Sequence, residues 1–289
     1  MKNGMIIVNY NDYSSTKELI NNIQSYQILD KIVVVDNHST DDSLKQLKKL
    51  KVPNLKILEV KENKGYAYAI NYGSKYLIKE LGTCNLIISN PDVMISKEED
   101  IKELLSLLKD KKVGMVGPTI LEHETLNRGW KNPSPCLDAL MNLPYIHRFI
   151  RKKFIKYKED YYQKETSQVD VISGCFFCIS SETLEKIDFL DENTFLYYEE
   201  NILSKRLQQI GLSCIVSNHI LIIHNHSVTI DKNLNKLKKY KVQKESQYYF
   251  QTTYQHASGI ERALLKGTRA LGKSILSVYY YLLDRKHKK

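Results

Sequence analysis

Long apolar runs, abundant cysteine and the common glycine signatures of nucleotide binding are all missing from this chain. No stretch approaches the roughly 20 apolar residues that a membrane-spanning helix needs. The opening MKNGMIIVNY lacks the extended apolar core of a signal peptide. A cytoplasmic chain, or one resting on a membrane surface, is the expectation. Only five cysteines occur, Cys84, Cys136, Cys175, Cys178 and Cys214. Such low usage argues against a disulfide framework and favours a reducing compartment. Cys175 and Cys178 form a C-x-x-C, but no second pair and no suitably spaced His accompany it. In VISGCFFCIS the two are expected on opposite faces of a strand, as core residues. G-x-G-x-x-G and G-x-x-x-x-G-K-[ST] are both absent, which argues against a dehydrogenase and a P-loop NTPase. There is no internal repeat and no low-complexity linker.

What remains is a globular composition, 42% hydrophobic and 26% charged over 289 residues, enough for one large domain plus an appendage. The net charge of +10 is unevenly placed. Residues 231–289 hold 14 Lys and Arg against 4 Asp and Glu, while the rest holds 29 of each sign. The excess belongs to the tail.

The first half alternates strand and helix patterns. MIIVNY, KIVVVD, LKILEV, NLIISN and VGMVG read as strands. SSTKELINNIQSY, STDDSLKQLKKL, GYAYAINYGSKYLIKEL and KEEDIKELLSLLKD read as helices. Ala67, Ile70, Ser74 and Leu77 share one helical face. This alternation predicts a parallel sheet covered by helices, with ligands beyond the strand carboxyl ends. Residues from about 118 to 168 read as a long irregular loop with a helix or two, of the kind that forms a substrate lid. QVDVISGCFFCIS returns to strand character, EENILSKRLQQIG is a helix, and LSCIVS runs as strand to ILIIHNHS.

Polar residues gather where strands end. Asn9, Tyr10 and Asn11 close the first strand, and Asp36 and Asn37 the second. Asn63 and Gly65 precede a helix that carries Asn71, and Asn90 and Asp92 follow the fourth strand. Each cluster alone is ordinary turn chemistry. Four together point to one crevice. Asp36 can accept a hydrogen bond from a base or ribose, and Gly65 lets backbone approach a phosphate at a helix N-terminus.

IIVNYND, VVVDNHSTDDS, ENKGYAYAINYG, IISNPDV, ISGCFFCIS and FLYYEEN, in that order, resemble family 2 glycosyltransferases of the GT-A fold, close to their rhamnosyltransferase-like branch. The resemblance spans roughly residues 5 to 228. It implies an α/β fold: a Rossmann-like, mostly parallel sheet with helices on both faces, over residues 1–230. A C-terminal helical extension would occupy 231–289. It implies an inverting transfer of rhamnose or another hexose from a dTDP- or UDP-sugar to a polysaccharide or undecaprenyl-linked acceptor. Asp36 is similar to the family residue that contacts the base, with Asn9 and Asn63 beside it. Asn90 and Asp92 stand at the metal motif, where the family more often has two acids. A divalent ion, Mn2+ or Mg2+, is the implied cofactor. Glu200 takes the position of the catalytic base, with Glu199 second. The alternative is that both are first-turn acids favoured by the helix dipole. His224 and His226, at i and i+2, could both reach one ion; packed histidines are the alternative. Arg128, Trp130, Lys131 and Gly174 are candidates for meeting acceptor or sugar, with loop packing as the rival explanation.

In the tail, Ile260, Leu264, Leu271, Ile275, Val278 and Leu282 share a helical face, with Thr268 in its gap. Arg262, Lys266, Arg269 and Lys273 lie about 200° away. Such a helix suits the inner membrane surface. Packing on the enzyme body, or on a second subunit in a homo-oligomer, is the other reading. No nucleic-acid-binding motif accompanies the charge, so nucleic acid is not an expected partner. Two other functions compete with this reading. A nucleotidyltransferase should show Gly and Lys at the first strand, where VNYNDYSST has neither. A non-catalytic nucleotide-sugar-binding module would keep the pocket without turnover.

Overall fold

The computed structural model describes residues 1–225 and 236–286. Ten strands form one sheet: β1 (Lys2–Asn9), β2 (Lys31–Asp36), β3 (Leu55–Glu59), β4 (Cys84–Ser89), β5 (Val93–Met94), β6 (Val113–Glu122), β7 (Thr125–Asn127), β8 (Thr166–Val169), β9 (Phe176–Ser180) and β10 (Ser213–His224). The order is β3-β2-β1-β4-β9-β6-β10-β5, with β7 on β6 and β8 on β10. β3, β2, β1 and β4 are parallel. β9 runs against both β4 and β6, and β10 is parallel to β6. Six strands therefore point the same way, and their carboxyl ends share one edge.

The helices are α1 (Tyr13–Ile23), α2 (Ser43–Leu47), α3 (Tyr66–Leu81), α4 (Glu98–Leu107), α5 (Pro135–Leu140), α6 (Ile146–Ile150), α7 (Ser181–Lys186), α8 (Glu199–Gln209), α9 (Lys236–Thr253) and α10 (Gly259–Lys286). Both faces of the sheet are covered. Ile6, Val33 and Val35 pack under α3 with Ala67, Ile70 and Leu77. Met5, Ile7, Ile32 and Val34 pack on the opposite face with Leu19 and Ile20 of α1 and Leu104 of α4. Burial on two sides explains why KIVVVD is a continuous apolar run. Each such side chain contributes about 1.5–3 kcal/mol.

Three expectations change. The segment from 118 begins as ordered strand, because β6 runs to Glu122 and pairs back onto β7. Cys175 and Cys178 do not straddle β9. Cys175 precedes the strand, and both thiols belong to the same apolar cluster. The tail helix packs on the body by a face other than its apolar stripe. Leu265 is buried in a small cluster with Ala139 and Ala257, while Ile260, Leu271 and Val278 are exposed.

Candidate active site

The shared edge opens on a cavity of about 340 Å³. Tyr10, Asn37, Asn63, Gly65, Asn90, Asp92, Gly174, Glu199, Glu200 and His224 all line it. Parallel strand order thus gathers residues from every predicted cluster into one place.

Asp36 and Asn9 lie behind the wall, fully buried. Asn9 Nδ2 and Ser39 Oγ donate to Asp36 Oδ2 at 2.8 and 2.7 Å, and Ser39 N donates to Oδ1 at 3.0 Å. The carboxylate is spent on holding this turn. Its neighbour faces the cavity instead. Asn37 Nδ2 donates to Asn63 Oδ1 and to the Gly65 carbonyl, which fixes the amide and leaves Oδ1 buried without a partner among the described residues. Asn11 also serves the turn, its Oδ1 accepting from Thr40 N at 2.7 Å. Asn71 sits elsewhere, clamping the Leu190 backbone in both directions.

Gly65 has φ +106°, and a Cβ there would collide with the Phe195 carbonyl. The close approach is made by protein backbone, not left open for phosphate. Tyr66 N donates to the same carbonyl at 3.0 Å. This ties the start of α3 to the segment that leads into Glu199 and Glu200.

A polar cluster lies at the ends of β6 and β10. His224 Nδ1 is 2.8 Å from Glu122 Oε1, and Nε2 is 3.1 Å from Asp92 Oδ1. Burial works against the imidazolium, but Asp92, Cys175 and Glu122 outweigh it and push the group up to about 12. Donor atoms of Glu122, Cys175 and His224 lie within 4.8 Å of one another. These residues could hold a divalent ion, with Asp92 Oδ1 beside His224 Nε2 and Glu122 on the Nδ1 side of the ring. Asn90 is turned otherwise, its Oδ1 accepting from Tyr66 at 2.7 Å and its Nδ2 lying 3.5 Å from His224. His226 lies outside the described residues.

Glu199 and Glu200 open α8, after Tyr197 and Tyr198 with φ of 72° and 70°. Burial, then the Glu200 charge, raises the Glu199 carboxyl well above the usual range, and burial raises Glu200. The two carboxyls share a hydrogen bond, and the rise is larger for Glu199. Gly174 keeps space in front: a Cβ there would lie 3.8 Å from Glu200 Oε2. Tyr198 is held from beneath. Its hydroxyl bonds both oxygens of fully buried Asp138, which also accepts from Gln247 and Gln251 of α9.

The loop candidates stand apart from the cavity. Arg128 pairs with Glu159 at 2.7 Å and stacks on Tyr162. The Trp130 backbone bridges to Val171, and Lys131 lies over the Tyr157 ring. Sequence reasoning missed Glu122, Tyr66, Asp138 and Lys238, the last of which also lines the cavity. Glu122 was findable, since it ends a strand as the other clusters do. Asp138 carried no local signal.

Comparison with known proteins agrees with this geometry. The family described as Glycosyl transferase family 2 matches residues 5–188. The low-salt glycan biosynthesis hexosyltransferase Agl10 of Haloferax volcanii is 25% identical over 280 residues, 97% of this chain and 80% of that protein. Among solved structures, GalNAc-T7 with UDP, GalNAc and Mn2+ superposes with a TM-score of 0.62 at 14% identity. That match covers 94% of this chain and 55% of the other, so this chain spans little more than half of GalNAc-T7. The Pyrobaculum calidifontis mannosyltransferase PcManGT, with GDP-Man and Mn2+, gives 0.57 at 13% identity, over 97% of this chain and 80% of that one. S. aureus TarS 1-349 with UDP-GlcNAc gives 0.56 at 14% identity, over 94% and 71%. Sheet, edge and cavity together define a GT-A glycosyltransferase. The chain belongs to glycosyltransferase family 2.

Proposed function

We propose that this chain is an inverting, metal-assisted hexosyltransferase. It takes rhamnose or another hexose from a dTDP- or UDP-sugar and delivers it to a polysaccharide or lipid-linked acceptor, at the inner face of the cell membrane. The observation that carries this reading is the shared cavity: a carboxylate pair from α8 and the Asp92–His224–Glu122 cluster line the same space. The related folds hold UDP, GDP-Man or UDP-GlcNAc. That supports a nucleotide-sugar here.

The chemistry assigns roles to this chain's residues. Asn37 Oδ1, buried and lacking a partner among the described residues, suits a base N–H. Asp36 and Asn9 keep that turn rigid. Asp92 and His224 would hold the divalent ion, which offsets charge on the leaving diphosphate. Glu200 accepts the acceptor hydroxyl proton as its oxygen attacks the anomeric carbon opposite the diphosphate. The raised carboxyl suits this task, since a base works best near the working pH. Lys238 brings positive charge to the cavity rim.

Transfer and hydrolysis of dTDP- and UDP-sugars, measured with and without manganese, test the reading. Turnover that needs an ion and is abolished in Glu200→Gln supports it. Full activity in Glu200→Gln overturns the base assignment. Nucleotide-sugar binding without any turnover would favour the non-catalytic module.

A further inference from the structure

The C-terminal helix presents three faces. Leu265, Thr268 and Gly272 face the body. Asn142 Nδ2 donates to Thr268 Oγ1 at 3.0 Å, and a Cβ on Gly272 would collide with the Asn142 carbonyl. The basic face turns toward α9: Lys266 lies over the Tyr248 ring, and Arg269 is 3.5 Å from Glu245. The apolar stripe lies on the remaining side, about 100° from the body face. Its members from Ile260 to Val278 are uncovered, with Ile260 85%, Val278 59% and Leu271 52% exposed.

That stripe has a neighbour. Thr268 lies between Leu264 and Leu271 on the helix surface, so Asn142 is docked at the edge of the stripe. Three residues beyond Asn142 the chain enters 145–158, YIHRFIRKKFIKYK. Tyr145 is 79% exposed and Phe149 60%, and Ile146 and Phe154 are exposed beside them. The same fourteen residues carry six Lys and Arg and no acid. Lys153 lies over both Phe149 and Phe154, at 5.5 and 5.3 Å from the ring centroids.

We propose that segment 145–158 and the exposed stripe of α10 form one docking face for an anionic lipid surface. Aromatic and aliphatic tips enter the headgroup boundary, and the basic side chains meet the lipid charge. Charge selects this occupant over a second copy of the chain. Self-association through the face would bring two such basic segments together with no acid in either. The tail helix alone is half of the surface, and the variable loop supplies the rest. The proposal leans on the transferase reading only for its purpose, which is to hold the cavity beside a lipid-borne acceptor.

Co-sedimentation of the full chain with vesicles tests it without any use of activity. Vesicles of phosphatidylcholine mixed with phosphatidylglycerol should bind the protein, and phosphatidylcholine alone should bind it far less. Phe149→Asp with Leu271→Asp should cut binding about tenfold or more, as removal of inserted apolar side chains requires. Lys152→Glu with Lys153→Glu should do the same and flatten the salt dependence. Leu126→Asp, an exposed apolar change on β7, should bind as wild type. Equal binding to both vesicle types, or undiminished binding by both double variants, overturns the proposal. So does a dimer in light scattering that both double variants abolish, with no vesicle binding by wild type. Melting curves of each variant separate lost binding from lost fold. Failure here would leave nucleotide-sugar turnover untouched.

Discussion

Glu199 and Glu200 are adjacent carboxyls at the start of α8, and both line the cavity. Burial, and then the charge of Glu200, raises the Glu199 carboxyl well above its ordinary range. Glu200 faces Gly174 and the open cavity. Glu200→Gln should lower kcat by about 10²–10⁴, the usual worth of a general base. Donor affinity, read by calorimetry, should stay near wild type. The acid limb of the kcat profile should sit above the ordinary Glu value of about 4.3. Stability should move the other way. A carboxyl whose folded value is raised binds its proton more tightly when folded. Its favourable term is complete in acid and is lost as pH climbs from the ordinary Glu range through the raised value. Glu199→Gln should therefore raise Tm at neutral pH and leave it unchanged in strong acid, as melting at both pH values would report. Across the cavity, Glu122→Ala should weaken divalent-ion binding by about 10–100-fold, because the imidazole loses the partner that orients it. Titration with Mn2+ followed by paramagnetic resonance reads this directly.

The elements explain why those side chains stay where they are. Tyr197 and Tyr198 occupy a left-handed backbone region that bulky residues avoid. Asp138 offsets that cost by taking the Tyr198 hydroxyl, and α9 closes the arrangement with Gln247 and Gln251. Asp138→Ala would strand these buried donors at about 1–3 kcal/mol for each. A large fall in Tm is the expected result. Tyr198→Phe keeps the packing on Phe250 and removes the hydroxyl's contacts with both Asp138 oxygens. It should lower kcat more than it raises KM, since the residue acts by positioning Glu200. Helices and strands with strong periodicity were legible in the sequence. The buried faces of α1 and α3 came out as the pattern required. Residues that end strands were legible as a group, and Tyr10, Asn37, Asn63, Gly65, Asn90 and Asp92 meet at the cavity. Their division of labour was not. Asp36 looks like the base reader because it is the charged residue, yet its carboxylate bonds Asn9 and Ser39 while Asn37 lines the cavity. Asp138 and the Gly65–Phe195 contact depend on segments more than fifty residues apart, which no local pattern encodes.

At the scale of the molecule, the charge excess and the apolar stripe of the tail fall on different sides of one helix, and the body occupies the third. Thermal shift should report the assembled cavity. A nucleotide-sugar at 100 times its Kd, with Mn2+, would stabilise the fold by about 2.7 kcal/mol and raise Tm accordingly. The larger consequence comes from β9. This one reversed strand joins two parallel blocks, and it pairs Ser89 with Phe176 across a long stretch of chain. The proposed nucleotide side, β1 to β4 with Asn37 and Asn63, is complete in sequence before that stretch begins. The residues proposed to hold the ion and take the proton, His224 and Glu200, with Glu122 and Gly174 beside them, must wait for β9 to seat. Non-local pairings of this kind are slow. Pulse-labelled hydrogen exchange during refolding should find β1 and β2 protected before β6 and β10. A half-made chain would then have a place for the nucleotide before it could spend the sugar, and order of synthesis would keep the reactive half silent until the last strand closes the sheet.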